Sequence, residues 1–235
     1  MRSTIFNILY WTISGVYGVL CAILALIPGK FFLMHGVRSY CRLTVLMMRV
    51  ICGIKVEVRG QRPKNQAVII AAKHQSWGDG IVMLAKTGNV NFVVGDHMLK
   101  YPLIGWVLKR AGAIVVNNQG GRKAIESLND GISRSQSEAR PILIYPEGHL
   151  TPVGTGKPYR KGVYRLATRL DRPVVPVATN LGCFWAQQKW AKTPGTAIIE
   201  FLEPISPKLD GASFMATLET TVEARSRQLE EEAQS

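Results

Sequence analysis

From Ile5 to Gly29 the chain carries no charged side chain, and most residues in that stretch are apolar. Such a segment must leave water for a bilayer or a protein interior, and about 20 apolar residues suffice to cross the hydrocarbon. Tyr10 and Trp11 near one end, with Arg2 and Lys30 flanking, suit interfacial anchoring. A cleaved signal peptide is the alternative. It fits less well, because Arg2 alone would form its basic region, the apolar stretch is too long and no small-x-small cleavage site follows.

The next segment, Phe31 to Ile51, has a different pattern. His35, Arg38, Arg42 and Arg49 fall on one stripe of a helix, with Leu33, Val37, Leu43, Val45, Leu46, Met47 and Val50 around the rest. An interfacial helix with its basic residues toward headgroups has that pattern, as does a core-packing helix whose polar face meets water. Lys30, Arg38 and Arg42 follow the apolar stretch while only Arg2 precedes it. The positive-inside rule therefore puts the following domain on the cytoplasmic side of a cell inner membrane. Residues 1–52 are thus expected to be membrane-anchoring helices, a true span or a hairpin dipping into one leaflet, and 53–235 the functional domain.

The 235 residues carry a formal charge of +13. The basic residues are spread along the chain with no recognised nucleic-acid motif, so an anionic membrane surface, a phosphorylated cofactor or an acidic carrier protein is the expected partner rather than nucleic acid. Cys21, Cys41, Cys52 and Cys183 show neither CxxC nor ligand spacing, so no metal site and no disulfide framework is expected.

Beyond residue 53, short Val/Ile-rich runs alternate with helical patterns. Strands are predicted at Ala67–Ala72, Asn91–Val94, Ala113–Val116, Pro141–Tyr145, Val174–Thr179 and Ala197–Leu202. Helices are predicted at Gly80–Lys86, Tyr101–Arg110, Arg122–Gln136, Gly162–Leu170 and Phe214–Glu232. The alternation argues for an α/β fold, a mostly parallel sheet flanked by helices, behind an N-terminal membrane helix or helical hairpin.

His74 follows the first of those runs directly, at the end of a strand where open α/β sheets place their chemistry. Asp79 comes five residues later, a spacing roughly 140° off-face on a helix, so the two side chains meet only if the chain turns between them. Ser76 and Gly78 make such a turn plausible. An imidazole held by a carboxylate is equipped to take a proton from a hydroxyl. Taken alone, the pair is equally a structural histidine beside a solvated aspartate.

The His74/Asp79 pair, Gly112-Ala113-Ile114-Val115-Val116, Tyr145-Pro146-Glu147-Gly148 and Val175-Pro176-Val177-Ala178-Thr179, in that order, resemble the 1-acylglycerol-3-phosphate acyltransferase family. Phe184-Trp185, Thr193-Pro194-Gly195-Thr196 and Phe201-Leu202-Glu203-Pro204-Ile205 look like its bacterial branch. The resemblance runs from about Val56 to the end. It implies the glycerolipid acyltransferase fold and an HxxxxD mechanism. His74 would be the general base on an acceptor hydroxyl, and Asp79 would orient it. The donor would be an acyl-carrier-protein or acyl-CoA thioester, with no further cofactor and no covalent acyl-enzyme. The resemblance also implies Glu147 and Gly148 on the acceptor side and Pro176 in the wall of the acyl pocket.

Three departures bear on the acceptor. The family's motif arginine after Gly112 is replaced by Asn118, and its EGTR reads Glu147-Gly148-His149-Leu150. The family's lysine ahead of a Glu-Leu pair is missing from Gly95-Asp96-His97-Met98-Leu99. Arginines clamp phosphate through charge-assisted hydrogen bonds worth about 1.5–3 kcal/mol each. Their loss points to a phosphate-free acceptor such as a lyso-aminolipid of the ornithine-lipid kind, with Asn117, Asn118 and His149 toward its headgroup. Lysophosphatidate is the alternative acceptor, with Arg110, Arg122, Lys123, Lys157, Arg160 and Lys161 as candidate replacement cations. A non-catalytic lipid-binding relative is the reading of a different class.

Overall fold

The computed structural model describes residues 1–63, 66–117, 121–135, 139–187 and 189–234. Two long helices lead into the α/β architecture. The first, α1 (Arg2–Leu24), turns through Gly29 into α2 (Phe31–Cys52), so the charge-free segment forms one arm of a helical hairpin. The arms pack closely at Gly36, where a Cβ would stand 2.8 Å from Leu24 Cδ1. Ser14 Oγ and the Tyr40 hydroxyl, 2.8 Å apart, and the Tyr17 hydroxyl and Ser39 Oγ, 3.0 Å apart, tie the two together.

Among the described residues, α1 is the one helix long and apolar enough to cross a bilayer. One face of it nevertheless docks on the protein. Phe6 is fully buried edge-on against Trp185, with ring centroids 5.2 Å apart, and Asn7 Nδ2 donates to the Trp190 carbonyl at 2.9 Å. Its outer face exposes Ile8, Trp11, Val16, Val19 and Ile23. The next helix is two-sided as well. Met34, Cys41, Met47, Met48 and Cys52 join the core beneath the sheet, while His35, Arg42 and Arg49 stay exposed and Arg38 is half-buried. Gly53, at φ +71, ends α2 in the left-handed conformation that a glycine adopts without a Cβ penalty.

Among the described residues seven strands form one sheet: β1 (Ile54–Arg59), β2 (Ile69–Ala72), β3 (Asn91–Gly95), β4 (Ile114–Val116), β5 (Ile142–Ile144), β6 (Val174–Thr179) and β7 (Gly195–Phe201). Their order is β1-β7-β6-β2-β5-β3-β4, parallel throughout except between β6 and β7. The sequence reading has no strand at Ile54–Arg59, the edge strand. There Lys55, Glu57 and Arg59 interrupt the apolar run, as charged residues do on strands left open on one side.

Between the strands lie α3 (Asp79–Thr87), α4 (Pro102–Ala111), α5 (Gly121–Ser135), α6 (Gly162–Leu170), the single turn α7 (Leu181–Phe184) and the closing α8 (Gly211–Glu232). The alternation of β2 divides the core. Ile70 and Ala72 face α2 and α3, whereas Ile69 and Ala71 face α5, α6 and α8. Being covered on both sides, β2 is buried at all four positions, which is why it reads as a continuous apolar run.

The topology also places the site. β2 feeds α3 on one face, and its neighbour β5 feeds α6 on the other. A crevice opens at the carboxyl ends of strands where connections part in this way. His74 and Glu147 are the side chains that follow those two strands.

Candidate active site

After β2 the chain leaves the sheet and turns back within five residues. Asp79 N donates to Ser76 O at 3.1 Å and Gly78 N to Ser76 Oγ at 3.0 Å. A Cβ on Gly78 would lie 2.7 Å from the Trp185 ring, so the turn is pressed against the core and accepts no larger residue. This is the turn that the His/Asp spacing requires. His74 Nδ1 lies 2.9 Å from Asp79 Oδ2, and the same oxygen accepts Gln75 N at 2.7 Å and Ser76 N at 2.8 Å.

Asp79 is 2% exposed and sits in the first turn of α3, where the helix dipole favours a carboxylate. Its Oδ1 is buried and unpartnered among the described residues. The His74 side chain keeps 21% of its surface, and its ring stacks on Tyr145 with centroids 4.0 Å apart. The Tyr145 hydroxyl is sealed from solvent, and burial, then the nearby Asp79 carboxylate, hold its pKa well above the usual phenol range. The imidazole is thus pinned on one edge and one face, with Nδ1 committed to Asp79.

Glu147, expected toward the acceptor, is 1% exposed and points inward. Its Oε1 accepts the backbone N–H of His74 at 3.0 Å, and its Oε2 accepts Lys73 Nζ at 3.0 Å and Thr151 Oγ1 at 2.6 Å. Thr151 N returns a bond to His74 O at 2.9 Å. The carboxylate thereby anchors the main chain on both sides of the histidine, and it has no face open to solvent. Gly148 beside it has φ +73 and is exposed. The Arg160 side chain lies over it, 2.6 Å from where a Cβ would stand.

The remaining candidates scatter. Arg160 Nη2 donates to His149 Nε2 at 2.8 Å, so that imidazole is neutral with its proton on Nδ1. Partial burial, then Arg160, Lys157 and His97, lower its pKa below the ordinary histidine value. Asn117 is committed to Asp96 through Nδ2 at 2.9 Å. Asn118 lies outside the described residues. Arg122 is exposed on α5 and pairs with Glu126 at 2.7 Å. Arg110 caps the end of the first helix, donating to the carbonyls of Ala25 at 2.8 Å and Ile27 at 3.2 Å, so its guanidinium is taken. Pro176 is buried within β6, in register with Ala71. A cavity of about 480 Å³ beside Gln75, lined also by Val153, Cys183, Phe184 and Pro194, does not include it.

Sequence reasoning overlooked Lys73, Tyr145 and Thr151, which hold His74 from three directions. One signal was available: an uninterrupted apolar strand running straight into a lysine implies a buried ammonium that needs acidic partners.

The fold and the sequence have counterparts. The solved structure of a 1-acyl-sn-glycerophosphate acyltransferase from Thermotoga maritima superposes with a TM-score of 0.76 over 97% of this chain and 98% of its own, at 20% identity. A 1-acyl-sn-glycerol-3-phosphate acyltransferase of Pseudomonas aeruginosa is 27% identical over 226 residues, spanning 95% of this chain and 88% of its own length. A yeast protein of the same name, from Saccharomyces cerevisiae, is 30% identical over 198 residues, 82% of this chain and 64% of its own. The profile of the Acyltransferase family matches residues 53–180, a stretch that holds the histidine–aspartate pair, Glu147 and six of the seven strands, and this chain belongs to that family.

Proposed function

We propose that the protein is a membrane-anchored O-acyltransferase that moves a fatty acyl chain from an acyl-carrier-protein or CoA thioester to the hydroxyl of a lysolipid. The observation that carries this reading is the 2.9 Å contact between His74 Nδ1 and the buried Asp79 Oδ2. With Nδ1–H donated to the carboxylate, Nε2 holds the lone pair that accepts the acceptor's hydroxyl proton. The alkoxide oxygen attacks the thioester carbonyl, the C–S bond breaks, and the departing thiolate takes the proton back from the imidazolium, which Asp79 stabilises meanwhile. No covalent acyl-enzyme enters the sequence. The apolar outer face of α1 and the exposed basic residues of α2 support anchoring through residues 1–52, with residues 53–235 at the cytoplasmic surface of an inner membrane.

For the acceptor, the rim beyond the pair favours a lyso-aminolipid over a phosphomonoester. Position 150 holds leucine and Arg110 is bonded to the end of the first helix, so among the described residues Arg160, in contact with His149, is the guanidinium at this rim, with Lys157 beside it. A phosphate dianion gains most from several arginine forks, and a rim with a single guanidinium suits a zwitterionic amino-acid headgroup better. Lysophosphatidate is the second reading, favoured by the names of the relatives and by Arg160 and Lys157 at the rim. Membrane-reconstituted protein offered lysophosphatidate and lyso-ornithine lipid side by side is expected to turn over the aminolipid. Turnover of lysophosphatidate alone would refute that acceptor while leaving the transfer chemistry standing.

A further inference from the structure

Around Lys73 a buried charge cluster joins the closing helix to the residue beside the base. The ammonium is 1% exposed and donates to Glu147 Oε2 at 3.0 Å, to the Thr155 carbonyl at 3.0 Å and to both oxygens of Glu223, at 2.8 and 3.0 Å. Tyr159 adds its hydroxyl to Glu223 Oε1 at 2.9 Å. The partners come from two elements far apart in the chain, the long loop between β5 and α6, which supplies Glu147, Thr155 and Tyr159, and α8, which supplies Glu223. Glu147 passes the connection to His74 by accepting its backbone N–H.

A second tether runs alongside. Gln75 Nε2 donates to Glu230 Oε1, and Glu230 Oε2 accepts Gly154 N at 3.0 Å. Extended backbone sends residues 73 and 75 to one side and 74 to the other. Glu223 and Glu230, seven residues apart, lie on one face of α8. The closing helix therefore grips both neighbours of His74 from behind while the imidazole faces the crevice. This helix lies wholly outside the segment that the family profile covers.

We infer that Lys73 and Glu223 are positioning residues for acyl transfer, setting the height and angle of His74 through Glu147 and the main chain. The inference rests on the reading of His74 as the base. A mere stability role predicts something different. Replacing a buried ion pair by apolar groups of similar volume is often neutral for stability, whereas removing one partner strands a charge. Misplacing a catalytic group by about 1 Å costs about 100-fold in rate.

The test compares Lys73→Met, Glu223→Gln and Lys73→Met/Glu223→Met in the full-length, reconstituted protein, with kcat normalised to folded enzyme. Exposed Glu231→Gln on the same helix serves as the control and His74→Ala as the check on the underlying reading. The Lys73→Met enzyme is expected to lose about 100-fold in kcat, and Glu223→Gln about 10-fold, with both KM values unchanged. The double variant, which removes one of the two carboxylates that Lys73→Met strands, is expected to regain part of the thermal midpoint that Lys73→Met loses while kcat stays low. Wild-type kcat in Glu223→Gln would overturn the inference, as would recovery of kcat together with the midpoint in the double variant. An active His74→Ala enzyme would instead overturn the assignment of the base itself.

Discussion

Around Asp79 the imidazole and two backbone N–H groups converge on one buried oxygen, beneath a helix N-terminus. Around His149, at the end of the neighbouring strand, the side chains stand in solvent and cations crowd one another. The contrast separates two kinds of constraint. The histidine–aspartate geometry is fixed several times over by burial, so a substitution there disturbs several contacts at once. At the rim, an exposed side chain can change at little cost to folding. On the proposed reading, chemistry is built into the core of the fold and acceptor choice into its edge.

The largest effect should come from the core. We predict that His74→Ala lowers kcat by about 10²- to 10⁴-fold while leaving vesicle binding intact, the range over which a positioned general base acts. Retained turnover would refute the base assignment and favour a lipid-binding relative. Asp79 sharpens the point, because all three of its donors meet on Oδ2. An asparagine can keep those three bonds with its carbonyl oxygen, so Asp79→Asn is expected to fold normally and lose about 10²- to 10³-fold in kcat through the missing charge alone. Asp79→Ala, which strands two buried N–H groups as well, should also lose thermal stability. Equal melting temperatures for the two variants would show that the carboxylate does not brace the turn.

A smaller effect is expected at the rim, with the opposite signature. Arg160→Ala should raise the KM for the acceptor by about 10-fold and leave the melting temperature unchanged, since an exposed guanidinium holds little of the fold. Leu150→Arg should improve the use of lysophosphatidate relative to lyso-aminolipid by about the same factor, restoring one fork of a phosphate clamp. Competition between the two lipids in one assay reads this directly. An unchanged ratio would mean that acceptor choice is made elsewhere, and the division between core chemistry and edge specificity would fail.

How much of this was legible in the sequence follows the same division. Six of the seven strands and all the long helices could be read, because Ile69–Ala72 or Val174–Thr179 carries its signal within a few neighbouring residues. The His74/Asp79 contact could be read for a similar reason, since a five-residue turn is local and Gly78 marks it. The partners of Glu147 could not be read. Its inward orientation depends on Lys73 and Thr151, and the cluster is completed by Glu223, 150 residues from Lys73 along the chain. Arg110 was a candidate cation until the end of the first helix was seen to occupy it, a contact 85 residues apart. Side-chain partners brought together by topology leave no periodic trace in the sequence. The strand at Ile54–Arg59 was missed because its alternating charges resemble those of a loop.

The smallest predicted effect is also the most direct view of the rim. His149 has its pKa lowered, first by partial burial and then by Arg160, Lys157 and His97, and its Nε2 accepts a bond that only the neutral ring can accept. Acidification below the ordinary histidine range should therefore protonate it late and break the Arg160 contact. Because the folded state binds this proton less readily than the unfolded chain does, the contribution to stability falls as pH drops through that window. Removing Arg160 takes away both a repelling cation and the donor on Nε2, so the His149 titration followed by NMR should move upward in Arg160→Ala. Adding an anionic headgroup should move it upward in the wild-type protein too, since a bound anion offsets the repulsion. Glycerol 3-phosphate and Nα-acetylornithine, added separately, then report whether the rim accepts a phosphate anion or a zwitterion. If His149 titrates at its ordinary value and responds to neither, Arg160 does not lie over Gly148 in solution, and the rim has no claim on the acceptor.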